Sequence, residues 1–567
     1  MASSDTQTPV DIEFDAQEQR HALFSDLQIS IPRSGAEIRR WAAEEEERVQ
    51  RLPRERQEVE RAKYMVNVAR MREVNRRKIY ELEGIDRLDR GFAPVNAESN
   101  DLYQVRMASV YLGESPKKRG TFILYYRNPK DASGIRVFGM SRALHTLQNF
   151  KFDEGFLYGL LQEGKITKEL YLECLKLTKL DITVHAVRDG EFVGPNTPLM
   201  LVEGPLWQVQ LVETTLLQCL DYASGVATRA AAICAIAQKP LIDFGARRAP
   251  GEEAAVISSL ASVVSGAVGV ANTITPIVAE RYGLKDKDRV RTFGTTAHAL
   301  TESYFEFDKE GNCLTDPAFS ELETYADYIK YFPSTPVVLI DTIKKSVGLR
   351  TAKNISCTLD GQMIGVRDDS EISGEGVIWI YDTLKNMAVE KFFIVISDNL
   401  TPTSIRKIRD DIERLRGKDF YKNLDLRLGV GTYLARPEPV GMVFKLAEWV
   451  GEDGKVHRVS KASATTDKAS FPPVLTYREM NMHGFIRDFN VLPEEAGQYT
   501  RYRVLQEMVD LSREDLHLLR PYTPDGVHPH YLNSTSRDLQ PIFTERAHDV
   551  RTRIQKALKD TEPLISV

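Results

Sequence analysis

Cysteine is scarce in this sequence and forms no motif. Five cysteines are spread over 567 residues, and no two of them make a CxxC pair. They are Cys174, Cys219, Cys234, Cys313 and Cys357. An odd number of widely spaced cysteines argues against a disulfide framework and against a zinc site. We therefore expect a protein of a reducing compartment, the cytoplasm.

Targeting and membrane-spanning segments are also lacking. The first five residues are polar and acidic, without the basic and apolar stretches of a secretory signal. No run of about 18 apolar residues occurs, which is the length that a helix needs to cross a bilayer. The sequence predicts neither secretion by a standard signal nor a membrane partner.

Positive charge is not in excess. The chain has 75 lysines and arginines against 81 aspartates and glutamates, a net charge of -6. A chain of this sign does not attract a phosphate backbone in bulk, so we expect no nucleic-acid partner. Any site for a phosphorylated ligand must be built locally from a few side chains.

The chain is longer than a single ordinary domain, and its length predicts a large domain with an accessory one. Residues 1–95 differ from the rest, because the stretch 34–83 is dense in charge and has apolar residues at spacings of three and four. We interpret residues 1–95 as an N-terminal helical extension that packs one stripe on its own chain. A partner-binding or dimer-bridging arm is the alternative. The remainder divides into residues 96–239, 240–450 and 451–567.

Residues 96–239 predict a mixed α/β domain. Residues 121–126 and 182–187 have the composition of strands. Residues 188–191 have the composition of a tight turn, which predicts a hairpin between the second of these strands and residues 192–193.

Strand and helix patterns alternate over residues 240–450, after a long helix predicted over 206–238. The clearest strands are residues 240–244, 337–340, 392–396 and 426–430. Such alternation implies parallel strands with crossover helices, so we predict an α/β fold with an irregular (β/α) barrel-like domain. After Gly451 prolines accumulate, and we expect loops and short helices there.

Five motifs fall in the barrel-like region, each where an apolar run meets small, charged or hydroxyl residues. They are residues 244–251 (FGARRAPG), 294–298 (GTTAH), 339–342 (LIDT), 365–370 (GVRDDS) and 428–432 (LGVGT). The C-terminal ends of parallel barrel strands build the active site in such folds. The pattern predicts an enzyme that handles a phosphorylated sugar.

Two of these motifs have residue types suited to phosphate chemistry. Gly429 and Gly431 let backbone N–H groups approach a phosphate, and Thr432 adds a hydroxyl, although a simple tight turn gives the same sequence. His298, flanked by small residues, is a candidate nucleophile or acid/base group. A structural histidine is the alternative.

Charged groups in the other motifs suit anions and sugars. Arg247 and its neighbour Arg248 precede a turn, and planar guanidinium forks bind carboxylates and phosphates, unless they serve salt bridges at the barrel rim. Arg367 lies beside Asp369, a pairing suited to an anion together with a ribose or Mg²⁺, or simply an exposed charged turn.

One further group and one histidine pair complete the candidates. Ser397, Asp398 and Asn399 end an apolar strand and are suited to sugar hydroxyls, or to the cap of the following helix. His528 and His530 lack a third ligand, so we expect no metal site formed by the protein alone.

Taken together, these elements resemble nicotinate phosphoribosyltransferases. Residues 100–104 (NDLYQ) are similar to the opening motif of that family, and residues 190–200 and 211–217 continue the match. The FGxRRAxG, GTxAH, (V/I)DT, GVRxDS, SDN and G(V/I)GT elements follow in family order. The resemblance covers residues 96–450 approximately, and it is specific through order and spacing.

The resemblance implies a barrel-like domain and a mixed α/β domain to which the C-terminal segment returns. It also implies that nicotinate and 5-phosphoribosyl 1-diphosphate (PRPP) react to give nicotinate mononucleotide in NAD biosynthesis. ATP would be the co-substrate, coupled through a phosphohistidine, with Mg²⁺ as cofactor. The family further implies a homodimer whose active sites lie at the subunit interface.

Residue roles follow from the same resemblance. His298 would carry the phosphoryl group, and Asp369 would assist at the departing diphosphate. Nicotinate would be bound by Tyr103, Arg247, Thr295 and Arg367. Phosphate and ribose would be bound by Ser397, Asp398, Asn399, Gly429, Gly431 and Thr432.

Some positions depart from the family pattern. Glu371 and Ile372 stand where the family has Gly-Asp, Ala299 follows the histidine, and a late PGxK element is reduced to residues 471–474 (FPPV). Amide-selective relatives have an aspartate in the loop that corresponds to residues 272–275, and none occurs here, which favours nicotinate over nicotinamide. A nicotinamide phosphoribosyltransferase and a catalytically impaired paralogue that binds ligands or partners are the alternatives.

Overall fold

The computed structural model describes residues 97–127, 134–281, 290–310, 312, 314–334, 336–359, 362–461, 470, 475–480, 486–491, 508–510 and 542–559. The N-terminal extension predicted over residues 1–95 lies outside the described residues, as do His528, His530 and residues 471–474. Both main sheets belong to one compact unit, formed by residues 88–152 and 160–567.

Eighteen strands occur in the described part of the chain. They are β1 Arg119–Tyr126, β2 Ile135–Arg136, β3 Thr183–Ala186, β4 Phe192–Val193, β5 Pro198–Pro205, β6 Leu241–Asp243, β7 Gly269–Val270, β8 Arg291–Thr292, β9 Val337–Leu339, β10 Ile364–Asp368, β11 Phe392–Ile396, β12 Leu426–Val430, β13 Met442–Val450, β14 Val456–Arg458, β15 Leu475–Met480, β16 Ile486–Val491, β17 Met508–Asp510 and β18 Ile542–Phe543.

Helices connect these strands. They are α1 Leu102–Glu114, α2 Met140–Gln148, α3 Glu154–Gln162, α4 Lys168–Lys176, α5 Leu206–Gln210, α6 Glu213–Ala237, α7 Glu252–Val264, α8 Thr275–Arg281, α9 His298–Glu302, α10 Pro317–Tyr331, α11 Lys345–Ser356, α12 Gly374–Asn386, α13 Pro402–Arg416, α14 Lys418–Asn423, α15 Thr432–Ala435 and α16 Glu545–Lys559. A 3₁₀ turn spans Ala246–Arg248.

The first main sheet is a curled sheet of seven parallel strands in the order β8-β7-β6-β12-β11-β10-β9. The outward side chains of its central strands, such as Leu428, Ile394 and Val366, are fully buried against the surrounding helices. Strands covered on both faces read as continuous apolar runs, which is why the sequence identifies them. The predicted α/β fold with a barrel-like sheet is confirmed, and the domain boundaries at 239 and 450 stay predictions.

Glycines inside this half-barrel make room for aromatic rings. A Cβ on Gly429 would lie 2.4 Å from the ring of Phe244, and one on Gly365 would lie 2.4 Å from the ring of Phe393. Both distances are far below van der Waals contact, so any side chain at these glycines would displace a ring.

The second main sheet is antiparallel in the described residues, with the order β14-β13-β1-β5-β3-β17. It therefore takes strands from both sides of the parallel sheet in the sequence. The hairpin predicted around residues 188–191 is wrong, since β3 pairs with β5 and β17, whereas β4 pairs with β2. The buried Asp189 explains this, because it accepts hydrogen bonds from the backbone N–H groups of Met140 and Ser141 and so directs the turn to the start of α2.

Helix α6 contacts both main sheets. In its third turn, the carboxylate of Asp221 accepts hydrogen bonds of 3.0–3.1 Å from the backbone N–H groups of Val440, Gly441 and Met442, where the chain enters β13. Its C-terminal residues Ile233 and Ala237 are buried in the core of the parallel sheet.

The stretch Leu206–Ala237, which contains α5 and α6, is long and apolar enough to cross a membrane by length and composition. More than half of its most apolar window is buried inside the protein. Burial of this kind is typical of a core helix. The single helix predicted over 206–238 is interrupted at residues 211–212.

The expectation of loops and short helices after Gly451 is wrong for the residues described there. Strands β14 to β18 and the 15-residue helix α16 fall in this segment. Residues 475–480 and 486–491 pair as antiparallel strands. Proline is rare inside strands, so a segment rich in proline gives little sequence signal for short strands of this kind.

Candidate active site

The C-terminal ends of the parallel strands meet at one rim of the half-barrel. This rim brings together the end of β6 at Phe244, the segment after β8 at Thr295, and the ends of β10, β11 and β12. Parallel strands place all their carboxyl ends on the same edge. The motifs that are far apart in sequence therefore converge here.

Arg367, at the end of β10, is the centre of the site. Its Nε donates to Ser397 Oγ at 2.9 Å, and its Nη1 donates to Thr295 Oγ1 at 3.0 Å. The guanidinium lies over the ring of Phe244, 5.2 Å from the ring centroid. The side chain is only 11% exposed. These contacts hold the guanidinium plane in one orientation at the mouth of the half-barrel.

Asp369 and Ser397 complete this group. Nη2 of Arg367 lies 3.1 Å from Asp369 Oδ2, and the Ser397 hydroxyl donates to Asp369 Oδ1 at 2.6 Å. Nη2 carries two N–H groups, and the described residues supply an acceptor for one of them. The second N–H is available to an acidic ligand.

His298 lies at the N-terminus of the short helix α9, three residues after Thr295. Its Nδ1 is 3.1 Å from Oγ1 of Thr342, in the turn that follows β9. The ring is partly exposed. A histidine whose Nδ1 is held in this way presents Nε2 to a ligand.

A second ion pair lies beside the Arg367 group. Lys345 Nζ is 2.9 Å from Asp368 Oδ2 and donates to the backbone oxygen of Ser370 at 2.5 Å. Burial raises the pKa of the Asp368 carboxyl, while the hydrogen bond and charge of Lys345 act in the opposite direction. The pair fixes the backbone that carries Asp369.

The end of β6 is fixed by a buried carboxylate. Asp243 accepts from the backbone N–H of Gly245 at 2.7 Å and from the Ser259 hydroxyl at 2.8 Å. Burial raises the pKa of Asp243 to about 6. These bonds shape the turn that places the Phe244 ring under Arg367.

The loop after β12 lies directly beside the turn after β6. The N–H of Phe244 donates to the oxygen of Val430 at 2.8 Å, and Nε of Arg436 donates to the oxygen of Arg248 at 2.8 Å. Gly429, Gly431 and Thr432 are therefore next to the Arg247–Arg248 turn. Cationic side chains and a glycine loop at one place are suited to phosphate.

Other predicted site residues are not joined to Arg367 by a contact within the described chain. Tyr103 is 47% exposed on α1 and its hydroxyl accepts from Gln104. Arg247 is exposed on the turn after β6. Asp398 and Asn399 are exposed and bond to each other, with positive φ values of 96° and 39°.

The alternative in which Asp398 and Asn399 cap the next helix is wrong. Thr401 is the N-cap of α13, and its side chain accepts from the backbone N–H of Ser404 in a capping box. The two residues are thus left for another role. Positive φ in non-glycine residues is uncommon and concentrates at functional sites.

Sequence reasoning missed Asp243, Ser259 and Lys345. An aspartate inside the apolar run LIDF was the available signal for Asp243, because a buried carboxylate needs partners. No comparable signal marks Ser259 or Lys345. Their contacts arise from helix packing, which residue spacing does not specify.

A cavity of about 750 Å³ lies inside the half-barrel, next to the Arg367 group. Phe244 and Thr295 line it at the rim, and Phe393 and Arg427 line it deeper inside. Arg427 stacks on Phe393 at 3.7 Å and pairs with Asp425. Phe244 and Thr295, which both contact the guanidinium of Arg367, are therefore shared between the cavity and the Arg367 group.

Within the described chain, no cluster of three or more histidine, cysteine or acidic side chains could hold a metal ion. The donor set fits Mg²⁺ only if a substrate supplies most of the oxygens, because Mg²⁺ commonly uses one or two carboxylates with phosphates and waters. Asp369 and Asp398 are two carboxylates at the rim that are not fully buried. The four described cysteines, Cys174, Cys219, Cys234 and Cys357, are free thiols.

Comparison with known proteins gives consistent matches. The model for the nicotinate phosphoribosyltransferase (NAPRTase) N-terminal domain matches residues 99–221. A nicotinate phosphoribosyltransferase of Mycobacterium tuberculosis is 32% identical over 250 residues, which are 44% of this chain and 49% of that protein. A nicotinate phosphoribosyltransferase of Bacillus subtilis is 29% identical over 388 residues, 66% of this chain and 70% of that protein.

A solved structure shares the fold. The crystal structure of human nicotinic acid phosphoribosyltransferase aligns with a TM-score of 0.58 and 20% identity, covering 80% of this chain and 99% of that one. The chain spans about half the length of the Mycobacterium tuberculosis relative, and more of the Bacillus subtilis relative.

Proposed function

Because the chain belongs to the nicotinate phosphoribosyltransferase family, we propose that it joins nicotinate to PRPP, a step of NAD biosynthesis. The pyridine nitrogen forms a bond to the anomeric carbon of the ribose, and the bond from that carbon to diphosphate breaks. The electron pair leaves with diphosphate, and the products are nicotinate mononucleotide and diphosphate.

The geometry of Arg367 carries this proposal. Its guanidinium is held by Thr295, Ser397 and Asp369, and one N–H of Nη2 is left for a ligand. A nicotinate carboxylate placed there would gain a charge-assisted hydrogen bond of about 1.5–3 kcal/mol. The pyridine ring would then lie against Phe244. An uncharged nicotinamide would gain less from the same guanidinium.

The diphosphate and ribose would lie across the rim from the pyridine. Residues 429–432, at the end of β12 and directly after it, and the exposed Arg247 would provide N–H and guanidinium donors for phosphate. Asp369, Asp398 and Asn399 provide acceptors for ribose hydroxyls. Mg²⁺ carried by PRPP would stabilise the charge on the departing diphosphate, and the carboxylate of Asp369 would help to hold it.

His298 would accept the γ-phosphoryl group of ATP on a ring nitrogen, with ADP as the leaving group, and Thr342 would hold the imidazole through Nδ1. We further propose that the protein works in the cytoplasm as a homodimer, with Tyr103 acting in the site of the neighbouring subunit. The exposed position of Tyr103 on α1 supports this, because the side chain is accessible to a second chain.

A competition assay tests the function. Purified protein is given PRPP, Mg²⁺ and ATP with equal amounts of nicotinate and nicotinamide, and the two mononucleotides are measured. We expect nicotinate mononucleotide, formed faster with ATP than without it. Nicotinamide mononucleotide as the main product would favour the amide-specific enzyme. The absence of both products at saturating substrates would favour a paralogue that binds without catalysis.

A further inference from the structure

One face of α6 contacts residues 433–442, the segment that connects the end of β12 to β13. Four residues of the helix form this face, with the spacings of three and four that place side chains on one side of a helix. They are Asp221, Tyr222, Gly225 and Arg229. A Cβ on Gly225 would lie 2.9 Å from Cβ of Pro437, so the helix backbone approaches the segment closely.

Arg229 binds two backbone oxygens of this segment. Its Nη1 donates to the oxygens of Tyr433 and Arg436, each at 2.6 Å. The guanidinium also lies over the ring of Tyr433, 4.4 Å from the ring centroid. Among the described residues, no carboxylate forms an ion pair with Arg229. Its charged N–H groups are therefore used by backbone oxygens, which a charged donor binds more strongly than a neutral one does.

Tyr222 is a second donor on the same face. Its hydroxyl donates to the oxygen of Ala435 at 2.8 Å and lies 3.4 Å from the oxygen of Ala254. Ala435 ends the single turn α15, in which its own N–H donates to the oxygen of Gly431. A helix of one turn is not stable by itself, and its last carbonyls have no partner within the helix. Donors from α6 supply these partners and hold α15 in place.

The segment held by α6 adjoins both sets of phosphate donors in the proposed site. Residues 429–432 come immediately before the oxygens that Arg229 and Tyr222 bind. Nε of Arg436 donates to the oxygen of Arg248 at 2.8 Å, so the turn after β6 is bound to the same segment. A displacement of α15 would therefore move the glycine-rich residues and this turn together.

We propose that Arg229 and Tyr222 are positioning residues for PRPP. From α6 they fix α15, and through it residues 429–432 and the Arg247–Arg248 turn, in the arrangement that binds the phosphates. This inference rests on the proposed function for the identity of the ligand. The role does not require contact with PRPP, because both side chains act through the backbone that carries the phosphate donors.

Arg229→Gln tests this, because glutamine lacks the charged donor and remains polar. Binding of PRPP is measured by isothermal titration calorimetry with Mg²⁺ and without nicotinate. We expect the Kd for PRPP to rise about 10-fold in this variant. An unchanged Kd would overturn the proposal.

Lys239→Gln is the matched control. Lys239 is also a partly buried cation beside a tyrosine ring, and its Nζ donates to the backbone oxygens of Lys422 and Leu424 at 3.1 and 2.6 Å. Those oxygens precede β12, at the opposite end of the strand from α15. The Kd of this control for PRPP should equal that of wild type. An equal rise in the control and in Arg229→Gln would show a general loss of stability and would also overturn the proposal.

Tyr222→Phe is a second variant that removes only a hydroxyl, so it tests the proposal even if Arg229→Gln does not fold. We expect the Kd for PRPP to rise about 3-fold. A Kd at the wild-type value would remove Tyr222 from the role.

Steady-state kinetics gives a further readout. KM for PRPP should rise in both α6 variants, whereas KM for nicotinate should stay close to the wild-type value, because Thr295, Ser397 and Asp369 hold Arg367 without help from α6. Equal rises in both KM values would contradict a role in positioning the phosphates.

The proposed function can fail separately from this inference. A protein whose affinity for PRPP follows the expected pattern but that forms no mononucleotide would refute the proposed function and leave the positioning role intact. Mononucleotide formation with an unchanged KM for PRPP in both α6 variants would refute the positioning role alone. A protein that binds no PRPP would refute both.

Discussion

The Arg367 guanidinium donates a 3.0 Å hydrogen bond to the hydroxyl of Thr295, a residue 72 positions earlier in the chain. Thr295 precedes His298 by three residues, so the bond links the proposed nicotinate site to the proposed phosphoryl acceptor. We therefore expect a substitution of Arg367 to weaken nicotinate binding strongly and to change the phosphorylation of His298 less.

Replacing Arg367 with lysine should weaken nicotinate binding selectively. An ammonium cannot hold Ser397, Thr295 and Asp369 with a planar fork and still meet a ligand carboxylate. We expect KM for nicotinate to rise about 10-fold to 100-fold, with a smaller change in KM for PRPP. Steady-state kinetics with each substrate varied in turn measures both values.

Arg409→Lys is the matched control for this variant. Arg409 is a partly buried arginine on α13 that binds Glu413 and the oxygen of Ile236, away from the rim. Its replacement should leave both KM values unchanged. If Arg367→Lys raised both KM values equally, Arg367 would be a general structural residue instead of a nicotinate ligand.

Replacing His298 with alanine should abolish acid-labile phosphorylation and the stimulation by ATP. The imidazole is the proposed acceptor of the phosphoryl group, and alanine has no nitrogen to take its place. Labelling with γ-phosphate-labelled ATP, followed by acid treatment, measures the first effect, and product formation with and without ATP measures the second. His145→Ala, at an exposed position of α2, should retain both. If the His298 variant were labelled as strongly as wild type, His298 would not be the phosphoryl acceptor.

Gly429→Ala should disturb the aromatic floor of the site. The added Cβ would lie 2.4 Å from the Phe244 ring, and such overpacking costs about 1–3 kcal/mol of stability. We expect a lower unfolding midpoint and a higher KM for nicotinate. Gly113→Ala is the control, because a Cβ there has open space around it. A Gly429 variant as stable and as active as this control would show that the ring moves freely.

Asp243 should make stability depend on pH in the acidic range. Its pKa in the folded protein, about 6, exceeds the ordinary aspartate value, so the stability that it contributes is present at low pH. That contribution is lost as the pH rises from about 4 to about 6. Chemical denaturation of Asp243→Asn should show a weaker pH dependence across this window. An unchanged dependence would mean that another group titrates there.

The alanine variant separates charge from hydrogen bonding at the same position. An asparagine oxygen can still accept from Gly245, and its amide can donate to Ser259, so Asp243→Asn should be tolerated near neutral pH. Asp243→Ala leaves both groups without this partner and should lose about 1–3 kcal/mol of unfolding free energy. Equal losses in the two variants would contradict the hydrogen-bonding role.

The parallel strands were predictable because they are buried on both faces and read as uninterrupted apolar runs. Residues 392–396 and 426–430 match β11 and β12 in full. The turn after β3 was not predictable in the same way. Asp189 looks like a turn residue, but its carboxylate caps a distant helix, and such a contact leaves no local pattern.

The site residues also fall into a group that the sequence could predict and a group that it could not. Arg367, Ser397 and Asp369 could be identified because each follows a strand directly, and strand ends converge by geometry. Lys345 and Ser259 lie on helices packed behind these ends. Their importance depends on which helix faces which strand, and that follows from tertiary packing.

Helix α6 has a thermodynamic consequence for the whole chain. Asp221, in the third turn of the helix, is hydrogen-bonded to the start of β13 in the antiparallel sheet, and the last turns of the helix are buried in the core of the parallel sheet. Without α6, both sheets would expose apolar surface that this helix covers. We expect calorimetry of the intact chain to show one cooperative melting event for both layers. If the chain is divided at residue 239, we expect that neither fragment folds on its own.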